Sequence, residues 1–245
     1  MPQKRIFWLH IKKSAGMSTR ALLRPYYTEV DKGMKPKTFI QANPNEYNDI
    51  LNNYRIVLGE YQFKRCLFAK TYLYNDWEDI YSFAFSREPV DRCISMFRYL
   101  YWKDIGAIGG LLRSLRKGLA SRRVFTTSYA FDTFLDYAHE ARSSDSIYQP
   151  LGLAFTTHTA PMWDDITDND GNILLTEIFR LEALVDGINK VFRECGISHR
   201  IEHSGVRINA SRKHWTYTPT RRQIGLIEEI YQKDFEIYET AGGNV

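Results

Sequence analysis

Two stretches of this chain place anion-binding residue types at the end of a run that reads as a strand. The first is His10-Ile-Lys-Lys-Ser-Ala-Gly-Met-Ser-Thr19, directly after the apolar run Ile6-Phe-Trp-Leu9. A lysine supplies a point charge, Ser14, Ser18 and Thr19 supply hydroxyls, and Gly16 lets backbone approach closely. If a helix starts there, its first N–H groups and its dipole also favour an anion. The arrangement is not a Walker A loop, because GxxxxGK[ST] is absent and the lysines precede the glycine. A loop this short suits one 5′-phosphate carrying a transferable group. The second stretch is Ser86-Arg-Glu-Pro-Val-Asp-Arg-Cys-Ile-Ser95. An arginine fork and a hydroxyl near a strand end can grip a phosphate. Each stretch also has an ordinary alternative: a capped helix with a surface lysine, and a surface arginine beside a helix-starting proline.

The elements needed to hold these residues can be read around them. Arg5 to His10 reads as a buried strand of a parallel sheet, and Ser18 to Leu23 as the first turns of a helix. Lys37 to Gln41 and Arg55 to Glu60 are further strand candidates, and Asn45 to Asn53 a helix. Asp79 to Ser86 is the strongest strand. Pro89 opens a helix, continued by Val90, Cys93, Ile94, Phe97 and Tyr101 at helical spacing. Phe131 to Ala141 is helical, Asn169-Asp-Gly171 is a tight turn, and Ile173 to Arg180 is a strand. Leu181 to Gly196 is a helix ending at glycine, and Thr220 to Thr240 a final helix announced by Thr218-Pro219. Strands alternating with helices predict an α/β fold: an open sheet with helices on both faces. A single domain over residues 1–245 is expected, with an insertion or lid around 103–161.

Composition narrows the classes. The chain has 245 residues, 44% hydrophobic and 25% charged, with a formal net charge of +4. These values exclude a disordered or fibrous chain and do not call for nucleic acid. Mean hydropathy is −0.41, and no apolar run approaches the roughly 18 residues of a membrane span. Cys66, Cys93 and Cys195 are odd in number and form no CxxC pair, so neither a disulfide framework nor a cysteine zinc site is indicated. With no leader visible, a soluble cytoplasmic chain is expected. Two acid-free basic zones, Arg113 to Arg123 and Val206 to Arg222, suit an anionic ligand or a solvated surface.

Taken together the motifs carry a resemblance. His10-Ile-Lys-Lys-Ser-Ala-Gly-Met-Ser18 resembles the 5′-phosphosulfate loop of sulfotransferases, and Arg87-Glu-Pro-Val-Asp-Arg-Cys-Ile-Ser-Met-Phe97 their 3′-phosphate segment. Downstream, Asp170-Gly-Asn-Ile173, Ile178-Phe-Arg-Leu-Glu182, Asn209-Ala-Ser-Arg212 and Tyr231-Gln-Lys-Asp-Phe-Glu-Ile-Tyr238 are similar, in order, to segments of the Golgi-type carbohydrate sulfotransferases. The resemblance implies a P-loop-like open parallel sheet flanked by helices, with the 103–161 insertion or lid on the acceptor side, 3′-phosphoadenosine 5′-phosphosulfate (PAPS) as donor, 3′-phosphoadenosine 5′-phosphate (PAP) as product, and no metal. It implies that Lys13 contacts the sulfuryl bridge, with Lys12, Ser14, Ala15, Gly16, Met17, Ser18 and Thr19 in the loop. Arg87 and Ser95 fall on the 3′-phosphate pair, and Ser211 and Arg212 near a segment that completes the nucleotide site. Lys12 stands where the family has proline, and Met17 where it has a hydroxyl residue.

Transfer to an alcohol also needs a base. Glu60 is the first candidate, at the expected carboxyl end of the strand Arg55 to Glu60. His158, in Thr157-His-Thr-Ala-Pro161, resembles an acceptor-side segment and is the rival. The acceptor expected is a hydroxyl of a carbohydrate or glycoconjugate. Two other readings stay open: a P-loop kinase acting on a small molecule, which predicts ATP and magnesium dependence, and a nucleotide-binding module without turnover. The oligomeric state is not readable.

Overall fold

The computed structural model describes residues 4–31, 39, 42–103, 123–143, 153–202 and 217–242. In chain order its elements are β1 (Ile6–Leu9), α1 (Gly16–Leu23), α2 (Tyr47–Asn53), α3 (Arg65–Phe68), β2 (Tyr81–Ser86), α4 (Pro89–Lys103), α5 (Arg123–Ser143), α6 (Leu153–Thr159), α7 (Met162–Ile166), β3 (Glu177–Arg180), α8 (Leu184–Glu194), α9 (Arg221–Ile230) and α10 (Gln232–Thr240). They divide into two compact units. Among the described residues the first holds 4–87, 162–202 and 239–242, and the second 88–161 and 217–238.

The first unit is built on a parallel three-stranded sheet in the order β1-β2-β3. All six residues of Tyr81–Ser86 are buried, as expected for a central strand covered on both faces. Side chains alternate along it. Trp8, Phe83, Phe85 and Phe179 pack with Leu184, Ile188, Val191 and Phe192 of α8. On the opposite face Phe7 meets Tyr74 and Trp77 edge-on, at ring-centroid separations of 5.8 and 5.1 Å. The Asn169–Gly171 turn forms as expected: the Asp168 N–H donates to Asn172 O at 3.0 Å, and Thr167 bridges Ile173 in antiparallel fashion. The expected strand Ile173 to Arg180 is regular only from Glu177.

The second unit is helical. Cys93, Met96, Phe97 and Leu100 of α4 pack with Phe131, Phe134 and Leu135 of α5, Phe155 of α6, and Ile227 and Ile230 of α9. Helix α9 starts in a capping box: the Gln223 N–H donates to Thr220 Oγ1 (3.3 Å) and the Thr220 N–H to Gln223 Oε1 (2.9 Å). The single final helix expected over Thr220 to Thr240 is two helices, interrupted at Tyr231.

One expectation is corrected outright. Arg55 to Glu60 is not a strand but part of a 3₁₀ stretch, Arg55–Phe63, kinked at Gly59. Gly59 has φ 55° and ψ −123°, a conformation open to glycine and closed to most side chains. A short apolar run cannot be told from a helical segment by pattern alone. Of Lys37 to Gln41, only Phe39 is among the described residues.

Candidate anion-binding site

The first motif forms a turn between β1 and α1. The Ser14 N–H donates to Ile11 O at 3.2 Å. Lys13 and Ala15 lie in the left-handed region, at φ 69° and 52°. Neither is glycine, and left-handed backbone of this kind costs about 1–2 kcal/mol per residue. Ala15 caps α1 with no side-chain hydrogen bond. The opening N–H groups of a helix lack intrahelical partners, so a ligand anion can take them.

Side chains complete the turn. Ser14 is 2% exposed, and its hydroxyl oxygen is buried without a hydrogen-bond partner. Leaving such a group unmet is costly. Thr19 is fully buried and donates from its hydroxyl to Ala15 O at 3.2 Å. Ser18 is partly exposed, while Met17 is 80% exposed. Gly16 is dictated by close approach: a Cβ there would sit 1.8 Å from Nε2 of His10. The His10 ring in turn stacks on Trp8, centroids 5.3 Å apart. Lys12 donates from its ammonium to Asn52 O at 3.3 Å.

The second motif reaches the first. Arg87, at the end of β2, donates to the Lys13 carbonyl at 3.3 Å. Lys13 and Arg87, separated by most of the N-terminal third of the chain, are therefore neighbours within the first unit. The next residue, Glu88, is spent on α4: its carboxylate accepts from the N–H groups of Val90 (3.1 Å) and Asp91 (2.7 Å). The start of α4 is thus occupied by a protein carboxylate, while among the described residues none caps the start of α1. The motif's second arginine, Arg92, is 3% exposed and bonded to Asp234 at 2.6 Å.

Ser95 lies partly exposed on α4, in the second unit. His158 lies there too, near the end of α6, stacked on Tyr99 with centroids 4.7 Å apart. Glu60 belongs to the first unit and is exposed. Its expected seat at a strand end is overturned, since the residue follows the Gly59 kink inside the 3₁₀ stretch. Ser211 and Arg212 lie outside the described residues, as do Arg113, Arg116, Lys117 and Arg122 of the basic zone Arg113 to Arg123.

Motif reading missed the groups beneath the turn. Asn52 accepts from the His10 N–H at 2.8 Å and donates to the Trp8 carbonyl at 2.8 Å. Arg65 donates to the His10 carbonyl at 3.1 Å and to both oxygens of Asp165, at 2.8 and 2.7 Å. The available signal was polar spacing: Asn48 and Asn52 share one face of α2, and a helix placed on the surface would present the same residues. Among the described residues no group of His, Cys, Asp and Glu could hold a metal ion. No described helix is long and apolar enough to cross a membrane.

A family model described as "Sulfotransferase family" matches residues 1–239. No curated protein and no solved structure matches the chain.

Proposed function

The chain belongs to the sulfotransferase family, and from that premise we propose that it moves the sulfuryl group of PAPS to a hydroxyl of a carbohydrate acceptor. PAPS supplies an activated sulfuryl group. An S–O bond forms to the acceptor oxygen, the S–O bond to the 5′-phosphate breaks, the acceptor proton passes to a base, and PAP leaves.

The residues present suit such a donor. The single observation that carries the reading is the turn after β1: a buried Ser14 hydroxyl without a partner, beside uncapped N–H groups of α1, with Arg87 bonded to the same turn. In this reading Lys13 and the amides of Ser14 through Ser18 meet negative charge growing on the leaving oxygen. The turn is already formed, so they do so without reorganising. Lys12 and Thr19 are given supporting parts, because both side chains are already bonded to backbone carbonyls. Arg87 serves the 3′-phosphate, with Ser95 as its family partner, and Ser211 and Arg212 complete the nucleotide contacts. Glu60 is the proposed base from the first unit, and His158 the rival from the second. The carbohydrate acceptor rests on the resemblance to the Golgi-type enzymes.

A thermal-shift panel of PAP, AMP and ATP, each with and without magnesium, tests the donor. PAP at about 100 times its dissociation constant should stabilise the protein by about 2.7 kcal/mol, with no metal dependence. A response to ATP with magnesium alone would overturn the reading in favour of a kinase. Turnover of labelled PAPS against sugar acceptors then separates the bases. Glu60→Gln should lower kcat by about 100-fold or more, and His158→Asn should leave it within a few-fold. The reverse ranking reassigns the base.

A further inference from the structure

The left-handed residues Lys13 and Ala15 need a reason to persist. The bonds beneath them supply one. Arg65 is 0% exposed. Its Nε and one terminal nitrogen hold both oxygens of Asp165. Its other terminal nitrogen donates to Asn52 Oδ1 at 3.1 Å, and the first also donates to the His10 carbonyl at 3.1 Å. Asn52, 1% exposed, takes the His10 N–H on that same Oδ1 and gives its amide protons to Trp8 O and to Asn48 Oδ1 (3.2 Å). Both peptide groups of His10 are therefore gripped by side chains of α2 and α3, and the His10 ring fills the space that Gly16 leaves.

We propose that Arg65, Asn52 and Asp165 are positioning residues: by clamping the backbone of His10 they hold the following turn in its strained form, so that its amides and the Ser14 hydroxyl are aimed before any anion arrives. The inference rests on the nucleotide reading above and adds residues to it. Stability alone is a poor explanation for the cluster, because a buried ion pair is often replaced by apolar residues without loss. Its donors go to the backbone one to three residues before the turn, where only a planar fork can serve Asp165, Asn52 and His10 together. A lysine presents its three donors from a single point and cannot span them.

The test uses the full chain, with PAP as the probe. Two variants remove the fork in different ways: Arg65→Lys keeps the buried charge, and the double change Arg65→Met with Asp165→Leu removes the pair by volume. Amide hydrogen exchange at His10 and Ser14, without ligand, reads the clamp directly. Both amides should exchange faster in both variants. The dissociation constant for PAP and the KM for PAPS should rise by ~10- to 100-fold, with the acceptor KM unchanged. Variants that fold, exchange as the parent does and bind PAP equally well would overturn the inference. So would failure of both to fold, which would make the cluster a support of the whole unit. Faster exchange in the variants, together with no PAP binding by the parent, would support the clamp and refute the nucleotide reading.

Discussion

Each compact unit buries an arginine–aspartate pair, and the two pairs share a plan. In the first unit, Arg65 holds Asp165 and a backbone carbonyl, that of His10. In the second, Arg92 holds Asp234 at 2.6 Å and the Ala160 carbonyl at 2.5 Å. It also lies over the Tyr231 ring, whose hydroxyl donates to Thr159 O at 2.8 Å. The difference lies in what is held. Arg65 grips the approach to a strained turn, whereas Arg92 grips the end of an ordinary helix, α6, which carries His158. A second contrast sits inside one motif. Arg87 is half-buried and bonded to the Lys13 carbonyl, while Arg92 is locked in the second unit's core. Both are arginines of one short motif; burial separates them, leaving Arg87 half-buried at the end of β2 and Arg92 3% exposed.

The aspartates are where the two pairs should differ most. Asp165→Ala or Asp234→Ala leaves a buried arginine unpaired, which costs about 3–5 kcal/mol. Either should lower the melting temperature by roughly 10 °C or more. The pairs should then part company: below the melting range, Asp165→Ala weakens PAP binding, while Asp234→Ala leaves it near the parent value and raises the acceptor KM. Equal loss of PAP binding would mean that the two pairs do the same work. Gly16→Ala follows in size. The His10 ring must move to admit a methyl group, an overpacking cost of about 1–3 kcal/mol, and PAP affinity should fall with it.

The two arginines also come with built-in reporters. Cys66 follows Arg65 and Cys93 follows Arg92, and both thiols are free and fully buried. Burial pushes both well above the usual thiol range, against the pull of the adjacent guanidinium. In the folded protein they should therefore react with a thiol reagent only through opening. Cys66 should label faster in Asp165→Ala and Cys93 faster in Asp234→Ala; labelling in the opposite pattern would show that the pairs do not guard their own surroundings. The smallest effect is expected at Asp168, whose carboxylate is held below its ordinary value by hydrogen bonds from Asn172, with further bonds from Asp170 and Gly171. A lowered carboxyl value stabilises the folded form above the ordinary value, and that contribution is lost as pH falls below it. Asp168→Asn should reduce the acid dependence of stability slightly and leave the neutral-pH site untouched.

Several elements were readable in advance because their signals are local. Proline at the start of α4, the aromatic run of β2 and the Asp168 to Asn172 turn are each specified within a few residues. The misread stretch, Arg55 to Glu60, shows the limit. Its apolar residues fit a strand, but the conformation at Gly59 and the packing of its neighbours decided otherwise, and with it fell the strand-end argument for Glu60. The break at Tyr231 was equally hidden, since the helical pattern runs through it.

The amino-acid order on its own settled which residue types stand after the first strand and after the aromatic strand, a set of types that suits an anion. Local chemistry suffices for that, because lysines, hydroxyls and a glycine at a helix start act within a few residues of one another. Only the folded chain decided that Arg87 meets Lys13, that Arg92 is buried on Asp234, and that Asn52, Arg65 and Asp165 lie beneath His10. Those pairings join residues 74, 142 and up to 100 positions apart. Their partners are chosen by which buried charges and backbone groups must satisfy one another once water is excluded, and no short stretch of sequence contains that information.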